Sequence, residues 1–222
     1  MYVLTSIPPF ADIEYQQMAI DSWIASGLKV ISLNHPDESI PPYDGVEFVH
    51  TYRTHFKMFG KHFVLINAFL DWAKGCIDSD VFILLNSDVH FRSELQFPKD
   101  QLPQKAFAFN RHNYGEDIDN SRIFESGFDV FVLHRDHLNV FPQSMYAMGL
   151  PWWDYWFPFC LLESGIVVDK FSDSVVYHKE HQVAYKQNSV DFFEEYFRLE
   201  NKSSRMTADV VHSYLDSKMT RK

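Results

Sequence analysis

The sequence predicts an α/β fold, a mostly parallel central sheet flanked by helices, with a helical C-terminal tail. Three observations carry that prediction. Apolar periodicity alternates between strand and helix in the order strand, helix, strand, strand, helix, strand through the first half of the chain. One of those strands, Val81 to Leu85, is apolar at every position, as expected where helices cover both faces of a sheet. The chain of 222 residues is long enough to bury a full core, and it shows no internal repeat, low-complexity tract or Gly/Ser linker.

The elements follow in order. "YVLTSI" (Tyr2 to Ile7) is a short β-rich run that stops at Pro8-Pro9. In "DIEYQQMAIDSWIASG", Tyr15, Ala19 and Trp23 recur at helical spacing, with Asp12 as N-cap and Gly27 as the stop. "LKVISLN" and "VEFVHTY" read as the second and third strands, and "KHFVLINAFLDWAKG" as a helix with Phe63, Ile66, Leu70 and Ala73 inward. "DVFILLN" is the fourth strand. Beyond it, "KAFAFN" and "GFDVFVLHR" read as strands, and "PWWDYWFPFCLLES" as an aromatic helix begun at Pro151. "DSVVYHKEH" is a late strand and turn. "SVDFFEEYFRLENKSS" and "TADVVHSYLDSKM" are amphipathic helices capped by Ser189 and Thr207.

Composition excludes several classes. With 46% hydrophobic and 17% aromatic residues the chain is globular rather than disordered. A formal charge of −10 argues against nucleic acid as a partner and suggests that an anionic ligand would be bound with a metal's help. Cys76 and Cys160 form no CxxC motif, which favours a reduced, cytoplasmic protein. "MYVLTSIPP" carries no basic n-region and no long apolar run, so no signal peptide is expected, and no stretch approaches the roughly 20 apolar residues of a membrane span.

Two acid-containing triplets bracket the fourth strand, Asp78-Ser79-Asp80 before it and Asn86-Ser87-Asp88 after it. Asp80 and Asp88 would lie roughly 26 Å apart in extended chain, so they cannot share a site. Ligands bind outside the carboxyl ends of strands in open α/β sheets, which selects Asn86-Ser87-Asp88 and leaves Asp78 and Asp80 to cap or solvate a turn. Such a triplet alone is common in turns. A second ligand type strengthens it, because "SVVYHKEHQVAY" brings His178 and His181 directly after a late strand. One imidazole and one carboxylate suit Mn²⁺ or another mid-row divalent ion. His178, at the strand's end, is the expected ligand. His181, three residues into the turn, is expected to stand aside.

The order of "TSIPP", "FILLNSDV", "FESGFDVFVLH", "PWWDYWFPF" and "VVYHKEH" resembles nucleotide-sugar-dependent glycosyltransferases of the GT-A, Rossmann-like fold, over roughly residues 1 to 185, in a compact form similar to bacterial, phage and large-virus members. The resemblance implies a single domain over 1–222, with a nucleotide-binding half over 1–110, an acceptor and catalytic half over 111–187 and the helical tail over 188–222. It implies a D-x-D-like motif in which Asp88 binds Mn²⁺ or Mg²⁺, Asn86 faces the ribose, Ser87 lies between them, and His178 completes the metal shell. Asn86 departs from the pattern, since an amide is a poorer metal ligand than a carboxylate. The implied partners are a nucleoside-diphosphate sugar donor and a glycan or other hydroxyl acceptor.

The residues fit that chemistry. A divalent ion neutralises a diphosphate leaving group. The backbone of Thr5-Ser6-Ile7 is expected to meet the nucleobase, and one of Arg53, Lys57 and Lys61 to reach a phosphate, although such side chains are more often simply solvated. Asp154 stands among Trp152, Trp153, Tyr155 and Trp156, where an apolar surround raises a carboxyl pKa and suits a catalytic base or an acceptor-sugar ligand, against the plainer reading of a structural acid in an aromatic core helix. Glu125 in "ESG" is the second acidic candidate, and Gly127 permits close backbone approach. An inverting course is favoured, while "FESGFDVFVL" also has a retaining character. The rivals are a sugar-nucleotide nucleotidyltransferase, for which "TSIPPF" lacks the Gly-rich loop, a phosphatase or mutase with an aspartyl nucleophile, and a non-catalytic carbohydrate-binding domain.

Overall fold

The structure is a computed structural model and describes residues 1–125, 127–172, 175–181, 185–203 and 205–222. Twelve strands and six α-helices occur among them. The first half runs β1 (Tyr2–Thr5), α1 (Ile13–Ala25), β2 (Lys29–Asn34), β3 (Val46–His50), α2 (Phe56–Phe59), α3 (Ile66–Gly75), β4 (Val81–Leu85) and β5 (Val89–Phe91). The second half runs β6 (Lys105–Phe109), β7 (Arg111–Tyr114), β8 (Arg122–Phe124), β9 (Val130–His134), α4 (Trp153–Glu163), β10 (Val167–Phe171), β11 (Val176–Lys179), α5 (Gln187–Glu200), α6 (Ala208–Lys218) and β12 (Thr220–Arg221).

An eight-stranded sheet in the order β12-β10-β6-β9-β4-β1-β2-β3 forms the centre. All its pairings are parallel except those of β9, which runs antiparallel to both β4 and β6. The sheet is therefore mixed rather than wholly parallel. It agrees with the expected α/β class, and alternate residues of β4 show why this strand reads as apolar throughout. Phe82 and Leu84 enter one core with α3 and α4, while Ile83 and Leu85 enter a second core with α1. Burial on both faces leaves no position for a polar residue.

A second sheet, in the order β5-β11-β7-β8, was not expected from sequence. Only Asn86, Ser87 and Asp88 separate β4 in the large sheet from β5 in the small one. Helix α1 lies over this crossing. Asp12 caps it by accepting from Tyr15 N–H at 3.1 Å, and Gly27 follows its end with φ of 75°.

Three boundaries differ from expectation. The helix expected from Lys61 begins only at Ile66, because Val64 bridges to Thr54 and Leu65 to Ala147 in extended conformation. Helix α5 starts from Lys186 rather than from Ser189, which is buried inside its first turn. The C-terminal segment is more than a helical tail. Phe193, Phe197, Val211 and Leu215 are fully buried in the main core, and β12 adds an edge strand beside β10. Thr207 caps α6 as expected, accepting from Val210 N–H at 3.4 Å.

One ion pair ties α6 to the sheet. Lys170 of β10 is 1% exposed, lies 5.3 Å from the Phe128 ring centroid, and donates to Asp216 at 2.8 Å. Burial would raise the Asp216 carboxyl, but the hydrogen bond and charge of Lys170, with His212 and Arg221, hold it below the usual value. A depressed folded pKa contributes stability that is full above the unfolded carboxyl value of about 3.9 and fades as pH falls through the lower folded value. Asp216→Asn is expected to cost about 3 kcal/mol at neutral pH by leaving a buried ammonium without its counter-charge. Urea melts should show the gap from wild type closing as the pH falls below about 3.9; a gap independent of pH would assign the loss to packing.

Candidate functional site

The carboxyl end of β4 delivers Asn86, Ser87 and Asp88 to the crossing between the sheets. Strand β11 runs antiparallel to β5, with His178 opposite Val89, so the imidazole of His178 is brought beside Asp88 by ladder register. Its Nε2 lies 3.4 Å from Asp88 Oδ2. The turn after β11 then folds back. His181 Nε2 sits 2.9 Å from the same oxygen and 3.2 Å from His178 Nε2. His181, expected to stand aside, lies three residues beyond the ladder's end yet nearer to Asp88 Oδ2 than His178 does.

Asp88, His178 and His181 thus present one carboxylate oxygen and two imidazole nitrogens within 4.8 Å of one another. Burial opposes ionisation of Asp88, but hydrogen bonds and charge from both histidines outweigh it and hold the carboxyl below its usual range. Among the described residues, its buried Oδ1 has no hydrogen-bond partner. A bound cation would satisfy that orphaned oxygen, and a carboxylate with two imidazoles suits a mid-row divalent ion. The residues present therefore fit a divalent metal.

Another trio, His35, Asp37 and His62, gathers at the carboxyl ends of β2 and β3. Its two imidazoles are stacked, with centroids 3.8 Å apart and planes 9° from parallel. Ring lone pairs lie in the ring planes, so one ion cannot meet both in this arrangement. Phe56 stacks on the other face of His62 at 4.5 Å, which makes this an aromatic stack rather than a metal centre.

Asn86 connects the metal-type cluster to a second polar group. Its Nδ2 donates to Asp129 Oδ1 at 2.6 Å, and Arg111 Nη1 pairs with the same oxygen at 2.6 Å. Asp129 is 4% exposed, and its buried Oδ2 has no hydrogen-bond partner among the described residues. Neither Asp129 nor Arg111 was anticipated. The signal lay in "GFDVFVL", a single acid before an apolar strand, and it becomes meaningful because β9 is antiparallel: its amino end lies beside the carboxyl end of β4.

Asp154 stands in the first turn of α4, close to this pair. Its Oδ2 lies 3.0 Å from the point where a side chain on Gly127 would begin. Only glycine leaves that space. Burial, reinforced by the charge of Asp129, pushes the Asp154 carboxyl up to about 7, while Arg111 and a backbone hydrogen bond from Phe128 act in the opposite direction. Trp152, Trp153 and Trp156 are nearly fully buried in the main core, and the groups placed beside the Asp154 carboxyl are Gly127, Phe128, Asp129 and Arg111. Pro158, inside α4, removes the amide that would bond the Asp154 carbonyl. Tyr185 lies near enough to feel Asp154, Arg111 and Asp129.

The remaining candidates lie apart from these groups or are otherwise engaged. Asp80, expected to cap or solvate a turn, pairs instead with Arg135 at 2.9 Å at the amino end of β4. Arg53 is bound to Asp71 and, at 2.7 Å, to Gln143, so its guanidinium is committed within the fold. Lys57, in α2, and Lys61, just after it, are both exposed. Ile7 has both main-chain groups occupied, its N–H by Ser32 Oγ and its carbonyl by Asn34 Nδ2, each at 2.9 Å. Thr5 is fully buried with an unpartnered Oγ1, and Ser6 is half-buried. Glu125 is exposed, and Ser126 beside it lies outside the described residues.

No protein-family model and no curated protein matches the chain. Among solved structures, it is similar to the galactosyltransferase LgtC in complex with donor and acceptor sugar analogs, at 11% identity and a TM-score of 0.43, over 93% of this chain and 98% of that one. It is also similar to HddC from Yersinia pseudotuberculosis complexed with GMP-PN, at 11% identity and a TM-score of 0.40, over 88% of this chain and 98% of that one. Likenesses this distant carry no inference about fold family or activity. A functional reading therefore rests on the side chains gathered at the crossing.

Proposed function

We propose that the chain is a metal-dependent glycosyltransferase that moves a sugar from a nucleoside-diphosphate sugar to a hydroxyl of a glycan or other acceptor. The observation that carries this reading is the convergence of Asp88, His178 and His181 at the carboxyl end of β4, joined through Asn86 to the group containing Asp154. A divalent ion such as Mn²⁺ or Mg²⁺, held by Asp88 and the two histidines, would serve as a Lewis acid for the departing diphosphate. Two imidazoles against one carboxylate favour Mn²⁺ over Mg²⁺, because Mg²⁺ prefers oxygen ligands.

The other residues divide the remaining work. Asn86 spends its amide nitrogen on Asp129, which leaves its carbonyl oxygen to accept a ribose hydroxyl. Thr5 and Ser6, at the carboxyl end of β1, border the place for the nucleobase, and Lys57 and Lys61 supply positive charge on the same edge of the sheet. Asp154 takes a proton from the acceptor hydroxyl, an inverting course. Its carboxyl, pushed up to about 7, matches the usual requirement for a general base. Glu125 is the reserve acid should Asp154 serve only to hold the acceptor.

Calorimetry with uridine and guanosine diphosphate sugars tests the metal. Binding should require Mn²⁺, should disappear in Asp88→Ala and should survive in Asp80→Ala. Equal donor binding with and without metal would remove the ion from the reading, and donor binding without turnover on any acceptor would favour a non-catalytic carbohydrate-binding domain.

Asp154 makes a prediction with a sign. A base works deprotonated, so turnover should rise with pH through about 7 and then level off. Asp154→Asn should lower turnover by about 10²- to 10⁴-fold with donor affinity nearly unchanged. The folded state holds the Asp154 proton up to about 7, whereas the unfolded chain releases it near 3.9, so ionisation erodes stability between those values. Asp154→Asn removes that erosion and should not lower the melting temperature at pH 8. A destabilised variant with wild-type turnover would assign Asp154 to structure alone.

A further inference from the structure

The metal-type cluster draws its ligands from two chain segments, the β4–β5 crossing and the end of β11, and the ladder that joins them stops at the pair Val89 and His178. Beyond that pair both strands leave each other. One side chain spans the opening. Tyr15 of α1 places its hydroxyl 3.0 Å from the carbonyl of Asp88 and 3.0 Å from the amide nitrogen of Lys179. A phenol has one proton to give and two lone pairs. The proton goes to Asp88 O, one lone pair accepts Lys179 N–H, and the other faces His90 Nδ1 at 3.3 Å. Next along the helix, Gln16 is 3% exposed and donates from Nε2 to the carbonyl of Ser87 at 2.8 Å. Two adjacent residues of α1 therefore hold the backbone of both residues that precede β5, and one of them also holds the residue after His178.

We infer that Tyr15 is a positioning residue for the metal ligands, its hydroxyl setting the span between Asp88 and His178 by bridging their backbones, with Gln16 in support. This rests on the proposed metal site. The reasoning is geometric. The two ligand side chains hang from segments that no β-ladder bond ties together past Val89. An ion tolerates little change in ligand separation, and groups that orient ligands without touching the metal typically account for 10- to 100-fold of its affinity. Tyr15 touches neither Oδ2 of Asp88 nor the Nε2 atoms, so it acts through them.

The test uses the full chain, Mn²⁺ alone as the probe, and electron paramagnetic resonance of free Mn²⁺ to count bound ion. Tyr15→Phe keeps the ring and its edge contact with His90 but removes the bridge. Its dissociation constant for Mn²⁺ should rise about 10- to 100-fold. The melting temperature of the metal-free protein should fall modestly, because the Asp88 carbonyl and the Lys179 N–H lose a partner, and the rise produced by saturating Mn²⁺ in the wild type should shrink as well. An unchanged Mn²⁺ affinity overturns the inference, as does an equal loss of stability with and without metal. Should Tyr15→Phe fail to fold, Gln16→Met tests the same device, with a smaller loss of affinity expected and unchanged affinity counting against it. The wild type alone decides the metal site: if it binds no Mn²⁺, both readings fall, whereas binding by the wild type and by Tyr15→Phe with equal affinity removes only the role of Tyr15.

Discussion

Three residues between two sheets constrain everything else at the site. The chain leaves the centre of the eight-stranded sheet at Leu85 and pairs in the four-stranded sheet from Val89. With so short a connection the sheets must meet there, and Asp88 must sit in the seam. Side chains of α1 hold the seam closed. Trp23 Nε1 donates to Val89 O at 3.1 Å, Ser22 Oγ accepts from Phe91 N–H at 2.9 Å, and Tyr15 and Gln16 bind Asp88 and Ser87. The helix packs its apolar face into the core with Ile83 and Leu85 while its polar groups satisfy the backbone of the crossing. Burial and polar satisfaction thus come from the same element.

The direction of β9 determines what stands beside that seam. An antiparallel strand returns its amino end to the carboxyl end of β4, which brings Asp129 against Asn86 and Arg111. A parallel β9 would have carried Asp129 to the opposite edge. The consequence reaches Asp154, because the charge of Asp129 adds to burial in raising its carboxyl toward neutrality. Two carboxyls in neighbouring settings are pushed apart: Asp88 is held low by its histidines and Asp154 is raised by its surroundings. Separation of this kind fits the proposed division of labour, ion binding for Asp88 and proton acceptance for Asp154.

Much of this was legible in the sequence where the signal is local. The apolar run of β4 and the Asp12 cap of α1 follow from periodicity and capping chemistry, and strand polarity puts Asp88 at the carboxyl end of β4 and Asp80 at its amino end. What was hidden depends on pairing between distant segments. Strands β5, β7 and β8 have three or four residues each, too few for a period to show, and "RHNY" carries no apolar alternation. The helix boundary near Lys61 was misread because the bridges of Val64 and Leu65 to Thr54 and Ala147 override helical propensity. His181 was set aside because a turn's course after a strand cannot be read from spacing alone. Tyr15 and Gln16 read only as helix-face residues until the crossing they bind is in view.

The central claim is that Asp88, His178 and His181 together hold one divalent ion. Pulsed electron paramagnetic resonance of the Mn²⁺-loaded chain measures it most directly, through nitrogen couplings to the ion. The account predicts couplings from two imidazoles in the wild type, with one lost in His178→Ala and the other in His181→Ala. Bound Mn²⁺ showing no nitrogen coupling, in a shell of carboxylate and water only, would contradict it.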